Sequence, residues 1–331
     1  MKSQGTLLLS RSDVSALLGL DECIAAVEQA FKANAEGRSL PPGVLGVHAK
    51  GGGFHIKAAG LELSRPYFAA KVNGNFFNNR ERFGIPNIQG VVVLCDAENG
   101  TPLAVMDSIE ITILRTGAAT GVAAKYLSRE DAAVATICGC GDQGRVSLRA
   151  IAHVRRLKQV YAFDKDHDIA MRYAAEMSDE LGFAVTAVAE FEEAVGKSDI
   201  VVTCTPSNEA FLYLSNVAAG TFIAGVGADN ETKQELDPQL LAASKVVVDN
   251  LEQCTAIGDL KRALQLGFMS AKDVHAELGE VIAGLKPGRE SADEIIVFDS
   301  TGTALQDVAS AAIVFEKAVS SGRGLRLNFA D

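Results

Sequence analysis

The stretch TICGCGDQGR, Thr136 to Arg145, sets Gly139, Gly141 and Gly144 at G-x-G-x-x-G spacing, after a run of small apolar residues and before a helical pattern. No other feature constrains the chain as strongly. Glycines at this spacing let backbone approach a pyrophosphate, and a helix opening there offers free N–H groups and the positive end of its dipole. A glycine turn alone is weak evidence, so the context matters. Asp164 ends the next apolar run, VYAFD, 20 residues after Gly144. A carboxylate there accepts hydrogen bonds from the adenosine ribose hydroxyls and repels a 2′-phosphate, which favours NAD(H) over NADP(H). Lys165 beside it softens that preference.

Apolar runs recur at 133–139, 160–164, 184–188, 200–205, 221–227, 245–250 and 294–300, with helical patterns in most of the gaps. Several are continuous rather than alternating, as in strands covered on both faces of a parallel sheet. Residues 1–128 read differently. DECIAAVEQAFKANAEG is an amphipathic helix with Asp21 as its expected N-cap and Gly37 just past its end. Two strands flank Gly51–Gly53 as a hairpin, and two more meet at a turn over residues 98–101. An Ala-rich helix spans 109–128, and a last helix, 303–322, follows the final strand of the parallel set and is expected to return to the first part. The expected fold class is α/β: a Rossmann-type doubly wound parallel sheet at 129–302, plus an α+β domain built from 1–128 with 303–331.

Composition narrows the function. The net charge is −11 over 331 residues, Trp is absent, and no Lys/Arg-rich run appears, which argues against nucleic acid or an anionic membrane as partner. No apolar run approaches the roughly 20 residues that span a bilayer, and the amino-terminal Leu patch is too short for a signal-peptide core, so a cytoplasmic location is expected. The six cysteines form no C-x-x-C and the five histidines do not cluster. HAELGE, from His275, lacks a second His four residues on. No metal site is expected.

Several stretches together resemble the ornithine cyclodeaminase/μ-crystallin family. They are AAKVNGNF, GIPNIQGVVVLCDAENGTPLAVMD, ITILRTGAATGVAAKYL, the GCGDQG turn, GVGADNETKQELD and FDSTGTALQDVA, in that order. The resemblance covers nearly the whole chain. It implies that the first part and the last helix form a substrate and dimerisation domain, that the protein is a homodimer, and that hydride passes between NAD (NADH) and Cα of a small imino or amino acid. It also implies that Lys71 and Arg115 hold the substrate's α-carboxylate, the kind of group a guanidinium grips bidentately. Asp229 matches the acid/base carboxylate, a role that suits a carboxyl in a dry site. By the same resemblance Asn87, Asp142, Gln143, Thr205, Val226, Lys233 and Ser300 contact the cofactor alongside Gly139, Gly141, Gly144 and Asp164, with Asp142 acting mainly through backbone. Thr301 matches a position near the substrate.

One departure bears on the substrate. Many members carry an Arg after a Pro in the first hairpin strand, where this chain has Gly43 and Val44. Lys57 stands on the second hairpin strand where members usually have Met, and we expect it to restore a cation to the pocket. A cation-rich pocket suits an acidic imino acid such as iminosuccinate, or a compact cyclic ketimine, so net imine reduction to an L-amino acid is expected. The alternatives are ornithine cyclodeamination to proline with NAD recycled, and a non-catalytic μ-crystallin-like binding protein.

Overall fold

A computed structural model describes residues 5–76 and 78–328. The chain divides into two compact units, Met1–Arg115 with Thr303–Asp331, and Thr116–Gly302. The division falls inside the helix Ile109–Leu127, whereas the sequence places the change of pattern at the helix's end, 128/129.

Strands are numbered along the chain. The first unit holds β1 (Thr6–Leu9), β2 (Ser39–Ala49), β3 (Gly52–Glu62), β4 (Pro66–Asn75), β5 (Ile88–Asp96) and β6 (Pro102–Asp107), joined near the other end by β15 (Leu325–Leu327). They form one sheet in the order β15-β1-β6-β5-β4-β3-β2, antiparallel except for the parallel pair β1–β6. Along β4, burial alternates: Tyr67, Ala69, Lys71 and Asn73 point inward, the period-2 signature of a sheet covered on one face. The cover is the helix Ala304–Ser321, packed on β3 and β4 and against the helix Leu20–Ala35. The latter is capped by Gly19 rather than Asp21, which lies in its first turn. The Glu22 carboxylate reaches back to the Gly19 N–H at 3.3 Å, satisfying a donor the helix leaves open.

The second unit holds β7 (Val134–Cys138), β8 (Gln159–Phe163), β9 (Ala184–Ala187), β10 (Ile200–Thr203), β11 (Phe222–Gly225), β12 (Lys245–Val248), β13 (Ala276–Glu277) and β14 (Ile296–Asp299). Their order is β13-β12-β14-β11-β10-β7-β8-β9, with every pairing parallel. Every residue of β10, β11 and β14 is buried, which is why these runs are continuously apolar. Strand order reverses between β7 and β10, the switch point where doubly wound sheets bind ligands beyond the carboxyl ends of their strands. No helix among the described residues is long and apolar enough to cross a membrane.

Candidate functional site

In the first unit the sheet gathers buried charge on its inner face. Lys57 of β3 and Lys71 of β4 are cross-strand partners, and Val44 of β2 stands opposite Lys57. Side chains so paired share a face, so the row begins apolar at Val44 and turns cationic at Lys57. Arg115 projects from the helix Ile109–Leu127, whose first turn is held by Asp107 Oδ1 accepting from the N–H of Ile109 at 3.0 Å. These three cations are 7, 3 and 6 % exposed. At their centre is a residue the sequence reading missed: Asp307, 1 % exposed, on the helix Ala304–Ser321. Its carboxylate takes Lys71 Nζ at 2.9 Å and Arg115 Nε at 3.1 Å, and Arg115 Nη1 donates to Gln306 Oε1 at 2.9 Å.

Protonation follows from this setting. Burial, then the neighbouring Arg115 charge, brings the Lys71 ammonium down to about 7, while Asp307 pulls the other way and Lys57 adds a smaller push downward. For Asp307, burial works upward, but Lys71 and Arg115 more than offset it and hold the carboxyl below its ordinary range. Asp307 therefore stays ionised and orients two cations whose remaining donors suit an incoming carboxylate.

The second unit carries the dinucleotide cradle. A side chain at Gly144 would drive its Cβ into the Gly139 carbonyl, and Gly139 itself adopts φ +106°, so the turn closes this tightly only with glycine at both places. Gly141 faces open space at the start of the helix Asp142–Val154, and exposed Asp142 lies in its first turn. Asp164 Oδ2 accepts from the N–H of Cys140 at 2.9 Å and Oδ1 from Asp166 at 3.1 Å, fixing that carboxylate at the edge of the turn. The buried Oε1 of Gln143 has no hydrogen-bond partner. A glycine cradle, an open helix start and an acceptor left over together fit a dinucleotide.

The loops beyond the neighbouring strands hold the remaining candidates. Thr205 gives both its N–H and its hydroxyl to Glu235, and buried Val226 donates its N–H to the Thr203 carbonyl. Ser300 and Thr301 turn their hydroxyls to Asp249, at 3.0 and 3.2 Å. Asp229 departs from the dry carboxyl expected: its side chain is 48 % exposed and paired with Lys233 Nζ at 2.8 Å. The physical reason is its place in an irregular loop past the end of β11. Asn87 belongs to the first unit, where its Oδ1 accepts from the N–H of Arg80 at 3.0 Å. Among the described residues no group of three or more His, Cys, Asp and Glu is placed to hold a metal.

A doubly wound parallel sheet with a glycine turn at its switch point defines a dinucleotide-binding protein. The chain belongs to the ornithine cyclodeaminase/mu-crystallin family, whose model matches residues 4–322. It is 39 % identical over 325 residues to the alanine dehydrogenase of Archaeoglobus fulgidus, covering 98 % of each chain. It is 31 % identical over 324 residues to the iminosuccinate reductase of Paracoccus denitrificans, covering 96 % of this chain and 98 % of that protein. Among solved structures, an archaeal alanine dehydrogenase dimer with bound NAD superposes with a TM-score of 0.94 at 39 % identity, covering 98 % of this chain and all of that one. The Thermococcus litoralis Δ1-pyrroline-2-carboxylate reductase, in complex with NADH and L-proline, gives 0.91 at 35 % identity, covering 97 % and 100 %.

Proposed function

We propose that this protein is an NAD(H)-dependent reductase that converts the C=N bond of a small α-imino acid to the corresponding L-amino acid. The observation that carries this reading is the buried grouping of Lys57, Lys71 and Arg115 about Asp307. It is a carboxylate receptor built before any carboxylate arrives, and preorganisation of that kind is what positions a reacting carbon. NAD is the proposed cofactor, held by Gly139, Gly141, Asp142, Gln143, Gly144, Asp164, Asn87, Thr205, Val226, Lys233 and Ser300. When bound, it supplies the hydride that reduction of the imine carbon consumes.

The chain's own residues do the rest. Lys71 and Arg115 hold the α-carboxylate, and Asp229 exchanges a proton with the substrate nitrogen, with Lys233 as its partner in the resting loop. Ser300 and Thr301 have their hydroxyls oriented by Asp249. Lys57, in register with Lys71, is proposed to meet a second acidic group, which favours a dicarboxylic imine of the iminosuccinate kind over a simple cyclic ketimine. We propose self-association as well. Strand β2 exposes Leu40, Val44, Leu45 and Val47, large apolar groups at the edge of a sheet, and such an edge calls for a cover.

The test is NADH oxidation with oxaloacetate plus ammonia, pyruvate plus ammonia, pyruvate plus methylamine, and pyrroline-2-carboxylate, alongside ornithine plus NAD. Rapid turnover of one imine that is lost in Asp229→Asn supports the reading. Proline formed from ornithine with no net change in NADH replaces it with cyclodeamination. NADH binding without turnover of any of these makes the protein a binding module.

A further inference from the structure

Beyond the candidates above, the second unit buries several acids, and one of them joins two segments of the candidate site. Glu235 is 0 % exposed. Its Oε1 accepts the N–H of Thr205 at 2.6 Å and the Thr205 hydroxyl at 2.7 Å. Its Oε2 accepts the N–H of Gly227 at 2.9 Å and the Thr203 hydroxyl at 2.8 Å. One carboxylate thus takes four donors, from the end of β10, the loop leaving it and the loop leaving β11. Gly227 is shaped to admit it, since a Cβ there would lie 2.5–2.6 Å from the carboxylate atoms. Glu235 is fixed in turn: its own N–H donates to buried Asp259 Oδ1 at 2.7 Å, and its carbonyl accepts from Phe211 and Leu212.

We propose that Glu235 is a positioning residue, a buried clasp that ties the loop after β10 to the loop after β11 and so sets where Thr205, Val226 and Asp229 stand. The proposal rests on the reading of those three residues as cofactor and proton-exchange positions. A carboxylate suits the task because all four partners are donors, two of them backbone N–H groups on different oxygens. Glutamine cannot replace it. Whichever way its amide is turned, the NH₂ faces either the N–H of Thr205 or that of Gly227, leaving a buried donor against a donor. Burial pushes the Glu235 carboxyl upward, and the four hydrogen bonds oppose that shift. The clasp works in its acceptor form.

The experiment is fluorescence titration of NADH onto the full-length protein, with thermal melts, for wild type, Glu235→Gln and Thr203→Val. Thr203→Val removes one hydroxyl donor and touches no proposed ligand contact. For Glu235→Gln the expected result is a Kd for NADH raised roughly tenfold and a lower kcat, with the KM for the imino acid moved much less. For Thr203→Val a smaller rise, roughly two- to threefold, is expected, since one of the four donors to the clasp is lost. A cooperatively melting Glu235→Gln protein with wild-type Kd and kcat overturns the proposal. Should Glu235→Gln fail to fold, an unchanged Kd in a folded Thr203→Val overturns it instead. Failure of wild type to bind NADH strikes at the functional reading itself, a different result from either.

Discussion

Both units bury charge, and they satisfy it in opposite ways. In the first unit, Lys71 and Arg115 meet the Asp307 side chain, charge against charge. In the second, the carboxylates of Glu235 and Asp249 are held by backbone N–H groups and hydroxyls. The difference is one of purpose. Ion-paired lysine and arginine sit on flexible stems with several donors each, so they can hold a partner and still receive an anion. A carboxylate gripped by backbone has its acceptors committed, and it orders loops instead. On the function proposed above, the first cluster binds and the second holds.

The largest effect should come from breaking the binding cluster. Arg115→Met is expected to lower kcat/KM for the imine by roughly 10³-fold while leaving NADH affinity near wild type, because a buried charge contact and the alignment it gives are both lost. Equal losses in NADH affinity would show that the two clusters do not divide the work as described. Next in size is the pH response. The Lys71 ammonium, lowered to about 7, is charged below that pH and progressively neutral above it. A bound carboxylate favours the charged form, so binding takes up a proton above about pH 7, and carboxylate affinity should fall by up to about tenfold per pH unit there. Asp307 normally pulls the Lys71 pKa upward, so Asp307→Asn should move that limb to lower pH. KM measured across pH checks both, and an unmoved limb in the variant would remove Asp307 from the account.

The smallest effect expected is the most specific. Lys57→Met should raise KM about tenfold for a dicarboxylic imine and change it little for a monocarboxylic one, the loss of one charged contact. Equal kinetics on both substrates would leave Lys57 a buried neighbour of Lys71 and nothing more.

How far the sequence carried depended on distance along the chain. The glycine turn, its strand, its helix and Asp164 all lie within about 30 residues, and each has a local physical signature. The continuous apolar runs revealed the parallel sheet for the same reason. Asp307 is illegible because nothing local marks it among the few polar residues of a largely apolar helix, and its partner Lys71 is 236 positions away. A buried-looking helix that carries Gln306, Asp307 and Ser310 together was the available hint. Glu235 hid in KQELD, which looks like an ordinary surface loop, because a side chain bound by backbone leaves no complementary charge to search for. Residue type alone favours Asp21 as the cap, whereas Glu22 reaching back to Gly19 sets the helix start two residues earlier.

The origin of Asp307 also has a consequence for synthesis. Lys71 and Arg115 leave the ribosome long before the helix that neutralises them, while Thr116–Gly302 emerges whole in between. Domains fold largely as units in the order they appear. The nucleotide-binding unit can therefore mature first, and the nascent chain must carry two unmatched cations in an unfinished sheet until its last stretch is made. A premature stop before residue 303 would strand that sheet without its covering helix, a species for chaperones and proteases rather than a half-built protein.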